Sequence, residues 1–216
     1  RGEVRPSMLL CMDPTGKTIN IPGEKTVEPT FGLPAMWIEE ASREEAQFNG
    51  LTVVDPSTVI TTHLTELVKD HMADLLSYTE TQKLIDEISG VHKKLVDDLI
   101  PSQITLGSLQ RVLQNLLSER VSIRDLPAII EAVAEGAQAT RNINMITEHV
   151  RMRLSRQICN DNANVLGQIP LITLSPNWEH AFAGSLVGEG EDKSLAMPPS
   201  QIQDFIIKVR TTYEQM

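Results

Sequence analysis

Gly16-Lys17-Thr18 is the run in this 216-residue chain that comes nearest to a phosphate cradle, because Gly-Lys-Thr closes a P-loop. Such a loop also needs a glycine five positions earlier, where Cys11 stands, and a helix whose first amides face the phosphates. Ile19-Asn20-Ile21-Pro22 follows instead and reads as extended, so a nucleotide-binding or enzymatic domain is carried only as an alternative. The histidines offer no metal site, since none stands four residues from another on one helical face. His63 lies on an apolar helical stripe and reads as a core or interface histidine. His71, near the end of the same helix, can favour its dipole. His149 and His180 have no partner legible in the sequence. No serine or cysteine sits in a nucleophile elbow, and Asp97-Asp98 beside Lys93-Lys94 reads as a solvated helix surface. No catalytic residue, metal or cofactor is expected.

Protein binding is the chemistry left. Aromatic residues make up only 4% of the chain, so each ring is a large share of the area available for packing. Phe31 follows Glu28-Pro29-Thr30 and precedes Gly32. It reads either as a core phenylalanine after a proline turn or as an open anchor at a docking groove, the kind of side chain that dominates interface energetics. In the second reading Glu28 and Thr62 form its polar rim.

Composition narrows the classes. Hydrophobic content of 41% and charged content of 22% are those of an ordinary globular chain, long enough to bury a core. A formal charge of -10 argues against a phosphate-neutralising nucleic-acid binder and disfavours anionic membranes. Cys11 and Cys159 lie far apart and fit no metal spacing, which points to a reducing compartment. No apolar run reaches the roughly 18 residues of a membrane span. The chain begins Arg1-Gly2-Glu3 and ends at Met216 inside a helical pattern, as a segment of a longer protein would.

The elements that must position these residues are α+β in several subdomains. Met8-Leu9-Leu10-Cys11-Met12, Ala35-Met36-Trp37-Ile38 and Leu51-Thr52-Val53-Val54 predict strands, with a short helix from about Glu39 to Asn49 stopped by Gly50. Asp55-Pro56 predicts a capped helix start. The helix runs to about Leu76, with Val59, Ile60, Leu64, Leu67, Val68, Met72 and Leu75 on its core face. Thr58, Thr62 and Glu66 fall on another face, towards solvent or a partner. From about Thr79 to Cys159 short helices are predicted, broken at Gly90, Pro101 and Arg120-Val121-Ser122. Their stripes are Leu106/Leu109/Val112/Leu113/Leu116/Leu117, then Leu126/Ile129/Ile130/Val133, then Ile143/Ile146/Val150/Leu154/Ile158. Ile169-Pro170-Leu171-Ile172-Thr173-Leu174 predicts a strand, Asn177 to Gly184 a short helix, 184–199 an acidic loop, and Pro198-Pro199-Ser200 the last helix. The tail is therefore a partial α/β subdomain.

Pro22-Gly23-Glu24-Lys25-Thr26-Val27, Ala46-Gln47, Ser57-Thr58-Val59, Thr62-His63-Leu64, Val112-Leu113-Gln114-Asn115-Leu116-Leu117 and Ile123-Arg124-Asp125 stand in an order that resembles the cytosolic region of the flagellar and type III secretion export-gate family, the FHIPEP family. The likeness runs from about Arg5 to Ile158, with a more divergent tail. It implies a membrane-embedded N-terminal half, absent from this chain, and a cytosolic half of four subdomains assembled as a homo-nonameric ring under the bacterial inner membrane. Residues 1–54 then correspond to the second subdomain, 55–76 to the returning helix of the first, 77–155 to the helical third and 156–216 to part of the fourth. The resemblance further implies a non-enzymatic docking platform for export chaperone–substrate complexes, among other export-apparatus components, with Glu28, Phe31 and Thr62 at the matching positions and Val54 beside them. Relatives often carry Asp where Glu28 stands. They also often read Val-Pro-Ile-Arg-Asp at Val121-Ser122-Ile123-Arg124-Asp125 and Gly-Arg-Gln-Glu at Ser77-Tyr78-Thr79-Glu80. A purely structural ring-forming module, whose apolar stripes meet neighbouring copies, is the remaining alternative.

Overall fold

The computed structural model describes residues 3–15, 20–188 and 193–215. Gly16-Lys17-Thr18 and most of the acidic Gly188–Asp192 run lie outside the described residues. The chain is 59% helical with small sheets, the mixed α+β class expected. It divides into two compact units, one of residues 1–86 with 113–123, the other of 87–112 with 124–216.

In the first unit β1 (Leu9–Met12), β2 (Glu24–Val27), β3 (Pro34–Ile38) and β4 (Thr52–Val54) form an antiparallel sheet in the order β2-β3-β1-β4. Both faces are covered, which explains why β1 and β3 read as unbroken apolar runs rather than alternating ones. Leu9, Cys11, Met36 and Ile38 pack with Ile21 and with Ala46 of α1 (Arg43–Phe48). On the opposite face Leu10, Ala35 and Trp37 pack with Val59 of α2 (Pro56–Asp70). Gly50 closes α1 at φ +75°, as the sequence predicted.

Strand β2 carried no sequence signal as a strand, because an edge strand presents charged and polar residues that blunt further pairing. Its entry explains the Pro22-Gly23-Glu24-Lys25 motif. A Cβ on Gly23 would stand 2.5 Å from the Trp37 carbonyl oxygen, so only glycine lets β2 approach β3. Gly23→Ala is expected to lower stability by about 1–3 kcal/mol through this overpacking, measured by urea unfolding. An unchanged midpoint would contradict the close approach.

Helix α2 starts as the sequence predicts, with the Asp55 carboxylate accepting from the Thr58 N–H at 2.9 Å and Pro56 in the first turn. Hydrogen bonds from the Ser57 hydroxyl, then from the Thr58 N–H and hydroxyl, hold the Asp55 carboxyl well below the usual carboxylate range. Two expectations for this helix are corrected. It breaks at His71, whose φ/ψ of -110°/18° is not helical, and a separate turn α3 (Met72–Leu75) follows. The expected core face is also turned outward: of that stripe only Val59 is buried, while Ile60, Leu64 (59% exposed), Leu67, Val68 and Leu75 are open. The inward row is Val59, Thr62, His63 and Glu66. Arg120, in the left-handed region at φ 59°, reaches back to the half-buried Glu66 at 3.5 Å and to the exposed Asp70. Gln114 donates to the carbonyls of Ala73 and Leu76, so α3's end is capped from the same side.

Helix α4 (Tyr78–Leu99) passes through Gly90 and kinks two residues later, at His92. Helix α5 (Leu106–Ser118) follows and runs from one unit into the other. In the second unit α6 (Leu126–Ala139), capped by Asp125, buries Ile129, Ile130, Ala132 and Val133. It packs on α7 (Ile143–Arg153), whose cap is Asn142 and whose buried side chains are Ile146, Thr147 and Val150. Helix α8 is Ser155–Asn162 and α9 is Pro176–Gly184. The run Ile169–Leu174, expected as a strand, forms no regular element and pairs with no strand among the described residues. Where a loop was expected, β5 (Leu186–Val187) and β6 (Ser194–Leu195) make a short antiparallel pair before α10 (Pro199–Glu214). Trp178, Phe182 and Phe205 cluster between α9 and α10, with the Lys208 ammonium over the Trp178 ring.

Candidate functional site

The hairpin from β2 to β3 is a six-residue loop, Glu28–Leu33, and it presents Phe31 with 65% of its surface open. Each peptide group of Glu28 is committed to the loop: its N–H donates to the Leu33 carbonyl at 2.9 Å, and its carbonyl accepts from the Gly32 N–H at 3.0 Å. Gly32 turns the chain at φ +69°, a conformation that side chains with a Cβ resist. The Glu28 side chain closes the remainder. Its Oε1 accepts from the Thr30 N–H at 3.0 Å and its Oε2 from the Phe31 N–H at 2.6 Å.

Glu28 therefore departs from the expectation of a polar rim. Only 3% of it is exposed, and its carboxylate is spent on main-chain amides that would otherwise be left without partners at the turn. Val54 lies on β4. The β4 register sets it opposite Leu10, and it is half-buried against the core formed by Leu10, Trp37 and Val59, so it belongs to the packing beneath α2. Thr62 is half-buried on the inward row of α2.

Next to the loop lies a cavity of about 190 Å³, walled by Val27 and Trp37 of the sheet, Pro29 of the loop, and Val59, Ile60 and His63 of α2. It brings together Pro29, two residues before Phe31, and His63, next to Thr62, whereas Phe31 and Thr62 themselves are not part of its lining. Val27, Pro29 and Ile60 were not anticipated. Val27 closes a polar edge strand, and Ile60 had been placed in the core stripe by its spacing. Val27 and Ile60 are each more than half exposed, so the cavity opens between apolar side chains.

Among the described residues no three His, Cys, Asp or Glu side chains gather to hold a metal ion. Cys11 is buried and desolvation pushes its thiol pKa up, away from the reactive thiolate. No helix is long and apolar enough to cross a membrane among the described residues.

Comparison with known proteins places the whole chain. The flagellar biosynthesis protein FlhA of Caulobacter vibrioides is 58% identical over 214 residues, which is 99% of this chain and 31% of that protein. The chain thus spans about a third of the length of the curated relatives it matches. The Chlamydia pneumoniae CdsV protein superposes with a TM-score of 0.81 at 25% identity, covering 98% of this chain and 62% of that one. Nonameric SctV-C of EPEC gives a TM-score of 0.70 at 21% identity over 96% of this chain and 63% of its own, a likeness of fold. Because the FHIPEP family profile matches all of residues 1–216 and the identity to a flagellar biosynthesis protein extends over nearly that whole length, the chain belongs to the FHIPEP family.

Proposed function

We propose that this chain is part of the cytosolic docking platform of a flagellar type III export gate and that it captures export chaperone–substrate complexes on the surface around Phe31. The observation that carries the reading is the ring itself: one of only four phenylalanines stands open on a hairpin whose Thr30, Phe31 and Gly32 amides are all held by Glu28, beside an apolar cavity. A large ring held in water has lost hydrophobic stabilisation that only an incoming surface can restore. Pro29, Val27 and Ile60 extend that surface, and Thr62 and His63 supply polar atoms at its helical side. Affinity is modest by this reading, because a gate must release each client.

The family likeness also supports a wider frame for this chain. Residues 55–76 act as the returning helix of a subdomain whose other part lies elsewhere in a longer polypeptide, and that part covers the open Leu64/Leu67/Val68 stripe, leaving Ile60 at the cavity free for the partner. Residues 1–54, 77–155 and 156–216 are the further subdomains. The assembled protein is a ring of nine, as in SctV-C, placed beneath the inner membrane with this region in the cytoplasm and other export-apparatus components as partners. The nucleotide-binding alternative through Gly16-Lys17-Thr18 is not favoured by membership in a family of flagellar biosynthesis proteins.

The test is a calorimetric titration of this chain with a purified export chaperone–substrate complex, with the chaperone alone and the substrate alone as controls. Saturable binding of the complex is expected. Heats equal to those of dilution would remove the docking function.

A further inference from the structure

We infer that Glu28 is a positioning residue, which aims Phe31 at the incoming protein through the loop's main chain and does not itself touch that protein. The inference rests on the docking reading above. It starts from a conflict between residue type and place, because a carboxylate with 3% exposure gives up hydration that surface glutamates keep. Here the compensation is local: the two oxygens take the N–H groups of residues 30 and 31, and the same residue's peptide group pins Gly32 and Leu33. Hydrogen bonds to an ionised acceptor are the stronger kind, so a short hairpin loop with no core of its own acquires one conformation. Pro29, with its fixed φ, and Gly32, at φ +69°, leave the loop few other ways to run.

The consequence falls on Phe31. Its amide is the donor in the shorter of the two bonds, 2.6 Å, so the residue whose side chain projects into solvent is the one whose backbone is held. An anchor fixed before encounter loses less conformational freedom on binding, and the gain appears as affinity without any added contact. Glu28 and Phe31 should then act as one unit, with the effect of the first passing through the second.

The experiment is a double-mutant cycle combined with a readout that needs no partner. Glu28→Gln keeps the shape but removes the charge and one acceptor. It is expected to speed amide hydrogen exchange at Thr30 and Phe31 by about tenfold or more, and to weaken binding of the chaperone–substrate complex by about tenfold, the size associated with a charged hydrogen bond. In the Phe31→Ala background the same change is expected to cost less than about twofold further, the signature of coupled residues. Glu28→Asp, whose carboxylate can reach the amides two and three residues on as in an Asx turn, should restore binding to within about threefold of the parent. Gly32→Ala provides an arm that leaves the carboxylate in place. A Cβ there meets no atom within 4 Å, so the fold tolerates it, yet the positive φ is strained and the loop should loosen as it does in Glu28→Gln. Unchanged exchange at residues 30 and 31 in both Glu28→Gln and Gly32→Ala overturns the clamp. An equal loss of affinity from Glu28→Gln with and without Phe31 overturns it as well, by showing direct contact. If the unsubstituted chain binds no complex, the docking reading fails while the exchange rates still decide the clamp.

Discussion

Phe31→Ala is expected to weaken capture of an export chaperone–substrate complex by about 10- to 100-fold, the range of an interface hot spot, while the melting temperature stays within about 2 °C of the parent. The two halves of that expectation come from one observation. A ring that is 65% exposed contributes little to the folded state, so its removal leaves the core of the sheet as it was. The same exposure is what an incoming surface can cover, at roughly 25 cal/mol per Å² of apolar area removed from water. Phe48 is the matched control: it is 93% exposed at the end of α1, away from the loop and the cavity, and Phe48→Ala should leave binding unchanged. Equal losses from both substitutions would mean a non-specific apolar effect rather than a site.

Trp37→Ala is expected to have the opposite profile, with a stability loss of about 3–5 kcal/mol and a calorimetric melting temperature lower by roughly 10 °C or more. Trp37 is 4% exposed, pairs with Leu10 and Glu24 across its two neighbouring strands, and packs with Leu10, Ala35 and Val59. Its removal empties the space that holds α2 against the sheet. Binding should fall as well, because the Trp37 ring forms part of the cavity wall beside the loop. Leu64→Ala on the open face of α2 is the comparison, with a stability change within about 0.5 kcal/mol. A Leu64→Ala loss as large as that of Trp37→Ala would place the α2 stripe in a core.

The contrast between these two positions shows what the sequence can and cannot convey. Helix α2 was legible at its start, since Asp55-Pro56 carries its own physical cause in the cap and the fixed φ. Its period was legible too. What periodicity cannot supply is the identity of the cover: spacing finds the apolar stripe, but burial depends on which surface the rest of the fold offers. Here the sheet takes Val59, and the row half-buried beside it is Thr62, His63 and Glu66 rather than the apolar stripe. Strand β2 was illegible for a related reason, since an edge strand gains its place from pairing with β3 rather than from apolar alternation. The Ile169–Leu174 run shows the reverse case, strand-like residues with no described partner strand.

Within the site, Phe31 was legible because a scarce aromatic residue beside Pro29 and Gly32 stands out in composition and turn chemistry. Glu28 was legible as important and illegible in direction. A charged residue near a turn is ordinarily solvated, and only the path of the hairpin reveals that its oxygens meet the amides of Thr30 and Phe31. Ile60 was obscured by the same stripe argument that misplaced Leu64. The cavity between sheet and helix joins residues separated by some thirty positions, and no local pattern encodes it.

The most direct measurement is backbone and side-chain methyl NMR of the chain titrated with a chaperone–substrate complex. The account predicts shift changes and line broadening concentrated at Val27, Thr30, Phe31, Gly32, Ile60, Thr62 and His63, with α6, α7 and α10 unaffected. Perturbations that spare the hairpin and gather on the second unit instead would contradict it.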